Sequence, residues 1–246
     1  MKNLEKLLAE LKVYGAVALK FEFEDEGTSF EEAKILSVMA QNASIATTIK
    51  IGGSGALNDV KEANKLKPKT IVAPMIESVY AIKKFISTIE SVYNLDAPEL
   101  LINIETIDGV NKIDDIILSP DFLKIDGIVI GRFDLAKSMG LGCKDIQSNQ
   151  VEDVITTLIQ KISCTNKKIL IGGGIKTNVL EYFNKFPFIT NIETRKIVFD
   201  AKAISEQSII KALEFELEYL KQSKLDNSSR IAQIEERLYL SISKIS

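Results

Sequence analysis

The stretch from Leu100 to Gly140 constrains the fold more than any other part of the chain. Leu101, Asn103 and Glu105 alternate onto one face of a strand, with Leu100, Ile102 and Ile104 on the other. Val110, Ile113, Ile116 and Ile117 then recur at helical spacing, and Gly127 to Gly131 is a second short apolar strand. Strand, helix and strand in this order make a parallel crossover unit whose strands open their C-terminal ends on the same side. Glu105, at the end of the first strand, and Asp134, in the loop after the second, are thereby brought toward a common pocket.

The same pattern recurs along the chain. Tyr14 to Asp25 alternates with Val17, Leu19, Phe21 and Phe23 on one face and Ala16, Ala18, Lys20, Glu22 and Glu24 on the other. The second face starts small and ends charged, as expected of an inward barrel face that passes from packed interior to active-site mouth. A solvated edge strand is the other reading. Ser44 to Gly53 repeats the alternation and carries Lys50 near its end, followed by a Gly-rich loop whose Gly52 and Gly53 amides either cradle an anion or simply turn the chain. Thr28 to Glu31 reads as a capping box for the next helix. Thr70 to Pro74 and Lys168 to Gly172 are further strands, the latter running into Gly173 and Gly174, where backbone could approach a ligand. Ser78 to Tyr93 and Val151 to Ser163 read as helices, as does Thr177 to Phe186. Glu77 is either a substrate contact or a helix N-terminal charge.

Thr190 to Phe199 reads as one strand with Asn191, Glu193 and Arg195 on a single face. Glu and Arg are rare inside a strand core unless they pair or bind something. Arg195 therefore either grips a substrate anion or braces Glu193. This makes seven strands before Asp200, and Ile197 to Phe199 either supplies an eighth or leaves the barrel irregularly closed. Beyond Ile204, Ile209, Ile210, Leu213, Leu217 and Leu220 form one helical stripe. Ile231, Ile234, Leu238 and Ile242 form another, separated from the first by Asp226, Asn227 and Ser228. The reading is an α/β chain: a TIM (β/α)8-type barrel over 1–203 and a C-terminal helical extension over 204–246 that packs on the barrel or on another subunit.

Composition removes several chemistries. The 246 residues include no histidine, which excludes His triads, His metal ligands and His general bases. Cys143 and Cys164 lack pairing or metal-ligand spacing and read as free thiols. A net charge of -3 with mixed signs offers no nucleic-acid patch. No apolar run approaches the roughly 20 residues of a membrane span, and the N-terminus is an amphipathic helix rather than a signal peptide. A soluble, cytoplasmic protein with a small-molecule partner is the expectation.

The INIET setting of Glu105, the IGRFDLAKSMG setting of Asp134 and IVAPMIES at Ile71 to Ser78 resemble the HpcH/HpaI aldolase and citrate lyase beta-subunit family over roughly Lys20 to Gly140. The resemblance implies that Glu105 and Asp134 hold Mg2+ or Mn2+, hard ions that suit carboxylate and water. It also implies that Lys50 stands where related aldolases often use an Arg, and that the protein is a homo-oligomer, since relatives exchange a C-terminal helix. Two departures stand out: the aldolase branch depends on a His that is missing here, and Arg132 replaces the usual residues before the metal-loop Asp. The activity the resemblance implies is metal-dependent carbon–carbon lysis or aldol addition on a 2-oxo acid, the family's sugar-derived 2-oxo-3-deoxy acids included. Lys20, Glu22, Lys50 and Arg195 are the catalytic candidates, and Gly52, Gly53, Arg132, Gly173 and Glu193 the substrate-binding ones. An acyl-CoA lyase, a phosphoenolpyruvate-using enzyme and an inactive assembly barrel remain the alternatives.

Overall fold

The computed structural model describes residues 2–94, 96–175, 180, 185–222 and 228–243. Eight strands close into one barrel in chain order: β1 Ala16–Glu22, β2 Ala46–Lys50, β3 Thr70–Ala73, β4 Glu99–Ile104, β5 Gly127–Gly131, β6 Lys168–Gly172, β7 Asn191–Glu193 and β8 Ile197–Asp200. The sequence alternation sorts the side chains into two cores. Ala18, Val72, Leu101, Val129, Leu170 and Val198 pack together inside the lumen, where they make a closed floor. Leu19, Phe21, Ile49, Ile71, Ile102, Ile104, Ile128 and Ile130 face outward and are sealed by the surrounding helices. A barrel buried on both faces explains why strands this short carry so few exposed residues.

The outer layer contains α1 Lys2–Val13, α2 Phe30–Asn42, α3 Leu57–Leu66, α4 Val79–Glu90, α5 Ile107–Asn111, α6 Ile113–Ile117, α7 Arg132–Ser138 and α8 Asn149–Ser163. The stripe around Val110 to Ile117 is thus two short helices broken at Lys112 rather than one. The cap of α2 is Ser29, one residue later than the Thr28 box, with its hydroxyl accepting from the Glu32 amide. The predicted helix Thr177 to Phe186 and the spacer residues Asp226 and Asn227 fall largely or wholly outside the described residues. So does the Cys143 side chain, whereas Cys164 is a free, exposed thiol. Among the described residues no helix is long and apolar enough to cross a membrane.

The closure differs from an all-parallel barrel, and the predicted strand Thr190 to Phe199 is corrected to a hairpin. Only Thr194, Arg195 and Lys196 separate β7 from β8, too few for a crossover helix, so β8 must run antiparallel to both β7 and β1. The Thr194 amide donates to the Ile197 carbonyl at 2.9 Å, and the Ile197 amide donates back to Thr194 Oγ1 at 3.1 Å. Because β8 runs backwards, it returns the chain to the floor of the barrel, where the Asp200 amide donates to the Gly15 carbonyl. Helix α9 Glu206–Gln222 starts there, with Ser208 Oγ donating to the Tyr14 carbonyl at 2.8 Å. Its 17 residues span about 25 Å, enough to climb the side of the barrel and deliver α10 Ser228–Ile242 to the mouth.

Candidate active site

The C-terminal ends of the parallel strands, with the β7–β8 turn, open into a cavity of about 500 Å3. Register sets its lower wall. Glu22 pairs across to Lys50, and Gly131, Gly172 and Glu193 follow one another across β5, β6 and β7. The two glycines make room for carboxylates. A Cβ on Gly131 would lie 2.7 Å from both Cβ and Oε2 of Glu105, and one on Gly172 would lie 2.9 Å from Cγ of Glu193.

Two lysines rise from the lumen among acids. Lys20 Nζ lies 2.5 Å from Glu193 Oε1 and 3.3 Å from Glu22 Oε1. Burial works against its ammonium form, but Glu193 and Glu22 outweigh burial and hold its pKa above the ordinary lysine value. Lys50 Nζ lies 2.9 Å from Glu24 Oε2 and 3.6 Å from Glu105 Oε1. It too is raised, burial being overcome by Glu105 and Glu22. Glu22 shifts the other way: burial opposes ionisation, yet Lys20, Lys50 and Arg195 keep its pKa below the carboxylate norm.

Glu105 is held rigidly. Its Oε1 accepts the Met75 amide at 3.1 Å and its Oε2 accepts Asn103 Nδ2 at 2.8 Å. Burial raises its pKa, Lys50, Asn103 and the Met75 amide offset this only in part, and Asp134 adds repulsion. Asp134 reaches the same cavity from the first turn of α7, with Lys137 Nζ at 3.5 Å. Asn103 Oδ1 and Glu193 Oε2, both buried, have no hydrogen-bond partner among the described residues, so each presents an acceptor to whatever enters.

Lys20, Glu22, Lys50, Arg195, Gly173, Glu193, Glu105 and Asp134 all line the cavity, as expected. Three other expected residues do not. The Gly52 amide is consumed by Asp59 Oδ2 at 2.7 Å, and Gly52 with Gly53 forms a turn outside the cavity. Arg132 is buried and turned away, its Nε and Nη2 donating to the Gly173 carbonyl at 2.9 and 2.6 Å. It shapes the glycine loop from behind. Arg195 sits in the hairpin turn, and its partner is Glu26 at 3.0 Å rather than Glu193. Lys196, fully buried, donates to the other oxygen of Glu26 at 2.6 Å and lies over the Tyr219 ring. Glu77 accepts from Thr106 Oγ1 at 2.6 Å and does not line the cavity.

The outer wall comes from the C-terminal helices, which the sequence reading treats only as packing elements. Glu216 of α9 and Arg230, Gln233, Ile234 and Arg237 of α10 line the cavity. Arg237 Nη2 donates to the Ile175 carbonyl at 2.9 Å and pins α10 to the loop after β6. Glu216 was detectable: it falls at helical spacing inside the stripe of Ile209, Leu213 and Leu220. Burial raises its pKa, with Glu26 adding to the effect and Arg237, Arg195 and Lys196 opposing it. A carboxyl raised on folding binds its proton more tightly in the native state, so native stability falls as pH rises from the unfolded value near 4.5 through the folded one. Glu216→Gln is therefore expected to gain stability relative to wild type between pH 4 and pH 7. Melting curves with a flat or reversed difference over that range would contradict the assignment.

A closed eight-stranded barrel with acids and lysines at its mouth defines the class of α/β barrels with a charged, buried site, and the family comparison resolves it further. The HpcH/HpaI aldolase/citrate lyase profile matches residues 32–171, more than half of the chain, and the protein belongs to that family of lyases and aldolases. No curated protein sequence matches it. Among solved structures it is similar to an HpcH/HpaI aldolase/citrate lyase family protein from Burkholderia cenocepacia J2315, at 16% identity and TM-score 0.64, covering 89% of this chain and 91% of that one. An HpcH/HpaI aldolase from Desulfitobacterium hafniense DCB-2 superposes with TM-score 0.65 at 11% identity, over 91% and 90% of the two chains. A citrate lyase from Burkholderia xenovorans LB400 gives 0.63 at 13% identity, over 99% and 89%. At these identities the likeness is one of fold.

Proposed function

We propose that the protein is a divalent-metal-dependent carbon–carbon lyase acting on a 2-oxo acid through its enolate. The observation that carries this reading is the pairing of Glu105 and Asp134 across one cavity, with Glu105 destabilised as an anion by burial and by Asp134. Such a pair fits Mg2+ or Mn2+, for which two carboxylates plus water and ligand oxygens are a sufficient donor set. Among the described residues no third acid or cysteine joins them, so water and substrate oxygens would have to complete the coordination. Bound there, the ion would supply Lewis-acid stabilisation of enolate charge.

The chain's own residues do the rest. Asn103 and the Met75 amide orient Glu105. Lys50, held as ammonium beside Glu105, places a fixed positive charge where substrate oxygens become anionic. Lys20 is likewise held protonated, which unsuits both lysines to Schiff-base formation, since an amine nucleophile needs a lowered pKa. Proton acceptance then falls to a carboxylate in a chain without histidine, and Glu22, which lines the cavity in its ionised form, is the candidate.

Calorimetry tests the reading. Metal-free protein titrated with Mn2+ and then pyruvate is expected to show metal-dependent pyruvate binding that disappears in Glu105→Ala and in Asp134→Ala. A folded wild type that takes up no metal would overturn the lyase reading in favour of an inactive barrel.

A further inference from the structure

The cavity is much larger than a three-carbon acid requires, and its outer wall carries one cation that no acid among the described residues pairs with. As many cationic as anionic side chains line it, but they are not distributed evenly. Lys20 and Lys50 are engaged by the lumen acids, Lys137 by Asp134 and Arg195 by Glu26. Arg237 is committed to the Ile175 carbonyl and faces Glu216. Arg230, one of three polar α10 residues at i, i+3 and i+7 with Gln233 and Arg237, lines the cavity without an ion pair among the described residues.

We propose that α10 is a substrate-specificity element, and that Arg230, with Gln233 beside it, binds a distal anionic group, carboxylate or phosphate, on a substrate whose 2-oxo acid end lies at Glu105 and Asp134. This rests on the enolate reading above. The guanidinium suits such a group because its planar fork donates to two oxygens at once, a geometry lysine cannot copy. The site is built rather than accidental: Arg237 anchors the helix, the Lys221–Glu235 pair at 2.9 Å ties it to α9, and Ile234 is buried beneath it.

The test is calorimetric, on Mn2+-loaded protein. Pyruvate binding serves as the reference; 2-oxoglutarate and 2-oxoadipate are compared with 2-oxopentanoate and 2-oxohexanoate, which keep the 2-oxo acid end and lack the distal carboxylate. Wild type is expected to prefer the better-fitting charged ligand by at least roughly tenfold over its counterpart, a preference that falls to about one in Arg230→Ala and is only partly kept in Arg230→Lys. Inorganic phosphate that displaces the charged ligand but not pyruvate assigns the subsite to phosphate as well; phosphate that displaces neither assigns it to carboxylate. Wild type that binds pyruvate but shows no charge preference, or an Arg230→Ala variant that keeps it, would refute the proposal while leaving the enolate reading intact. Loss of pyruvate binding in wild type removes both.

Discussion

Replacing Lys20 with methionine is expected to cost about 3–5 kcal/mol of folding stability, the usual penalty for removing one partner of a buried ion pair. The ammonium is the only cation within ion-pair distance of Glu193 among the described residues and also lies 3.3 Å from Glu22. All three side chains are almost wholly buried. Methionine fills the space but leaves two carboxylates facing each other over the apolar floor. Against a total of about 5–15 kcal/mol the loss is large, and in a chain of this size it corresponds to roughly 10 °C in Tm. The pH dependence follows from the shifts. Lys20, raised on folding, contributes throughout the range below the unfolded value of 10.5 and is lost only as pH climbs through its folded value. Glu22, lowered on folding, contributes above about 4.5 and is lost as pH falls. The gap between wild type and Lys20→Met should thus be widest near neutrality and narrow toward pH 4, where protonation relieves the stranded acids. Chemical unfolding at both pH values measures it. Adding Glu193→Leu should restore part of the loss, because it removes the charge that the first change stranded. A Lys20→Met protein within about 0.5 kcal/mol of wild type at pH 7 would mean that the lumen network is hydrated rather than dry.

Most of this network is legible in the sequence. In Ala16 to Glu24 and Ser44 to Gly53, alternation puts Ala18, Lys20 and Glu22, and likewise Lys50, on one face, and closure of the barrel makes that face the lumen rather than a solvated edge. Glu105 and Asp134 follow from the parallel crossover. Alternation fails where the chain reverses without breaking its rhythm: Asn191, Glu193 and Arg195 keep the period, yet the chain turns at Thr194 and carries Arg195 away to Glu26. The polar triplet Thr194, Arg195 and Lys196 and the acid run Glu24 to Glu26 are the signals, but pairing between residues so far apart is a property of the closed barrel. Arg132 misleads for a similar reason, since a cation beside a metal-loop acid reads as a substrate contact until the Gly173 carbonyl is seen to hold it. The C-terminal wall is the largest omission. Helical periodicity says which face of α10 is apolar. It cannot say that a reversed β8 delivers the edge of that face, where Arg230 and Arg237 flank Ile234, to the mouth.

The sharpest test of the site is a single methyl group. Gly131 has φ −87°, a conformation alanine adopts freely, so Gly131→Ala introduces no backbone strain and acts only through its Cβ. That atom would sit 2.7 Å from Glu105 Cβ, which is fixed to the backbone directly after β4 and cannot swing away like a side-chain tip. Either Glu105 turns its carboxylate out of the cavity, breaking its bonds to Asn103 and the Met75 amide, or the strands separate. Overpacking of this kind costs about 1–3 kcal/mol, leaving the protein folded. Metal-dependent pyruvate binding, in contrast, is expected to weaken by about a hundredfold, because small errors in ligand placement are expensive in a preorganised site. Gly172→Ala separates the two effects. Its Cβ would press on Cγ and Oε1 of Glu193, which are flexible, and would disturb the Lys20 pair instead of Glu105. It should lose stability while retaining Mn2+ binding. Calorimetry and melting curves on the two alanine variants therefore discriminate between a barrel whose glycines merely relieve crowding and one whose β5 glycine exists to seat a metal-binding glutamate. Equal Mn2+ affinity in Gly131→Ala and wild type would rule out the second.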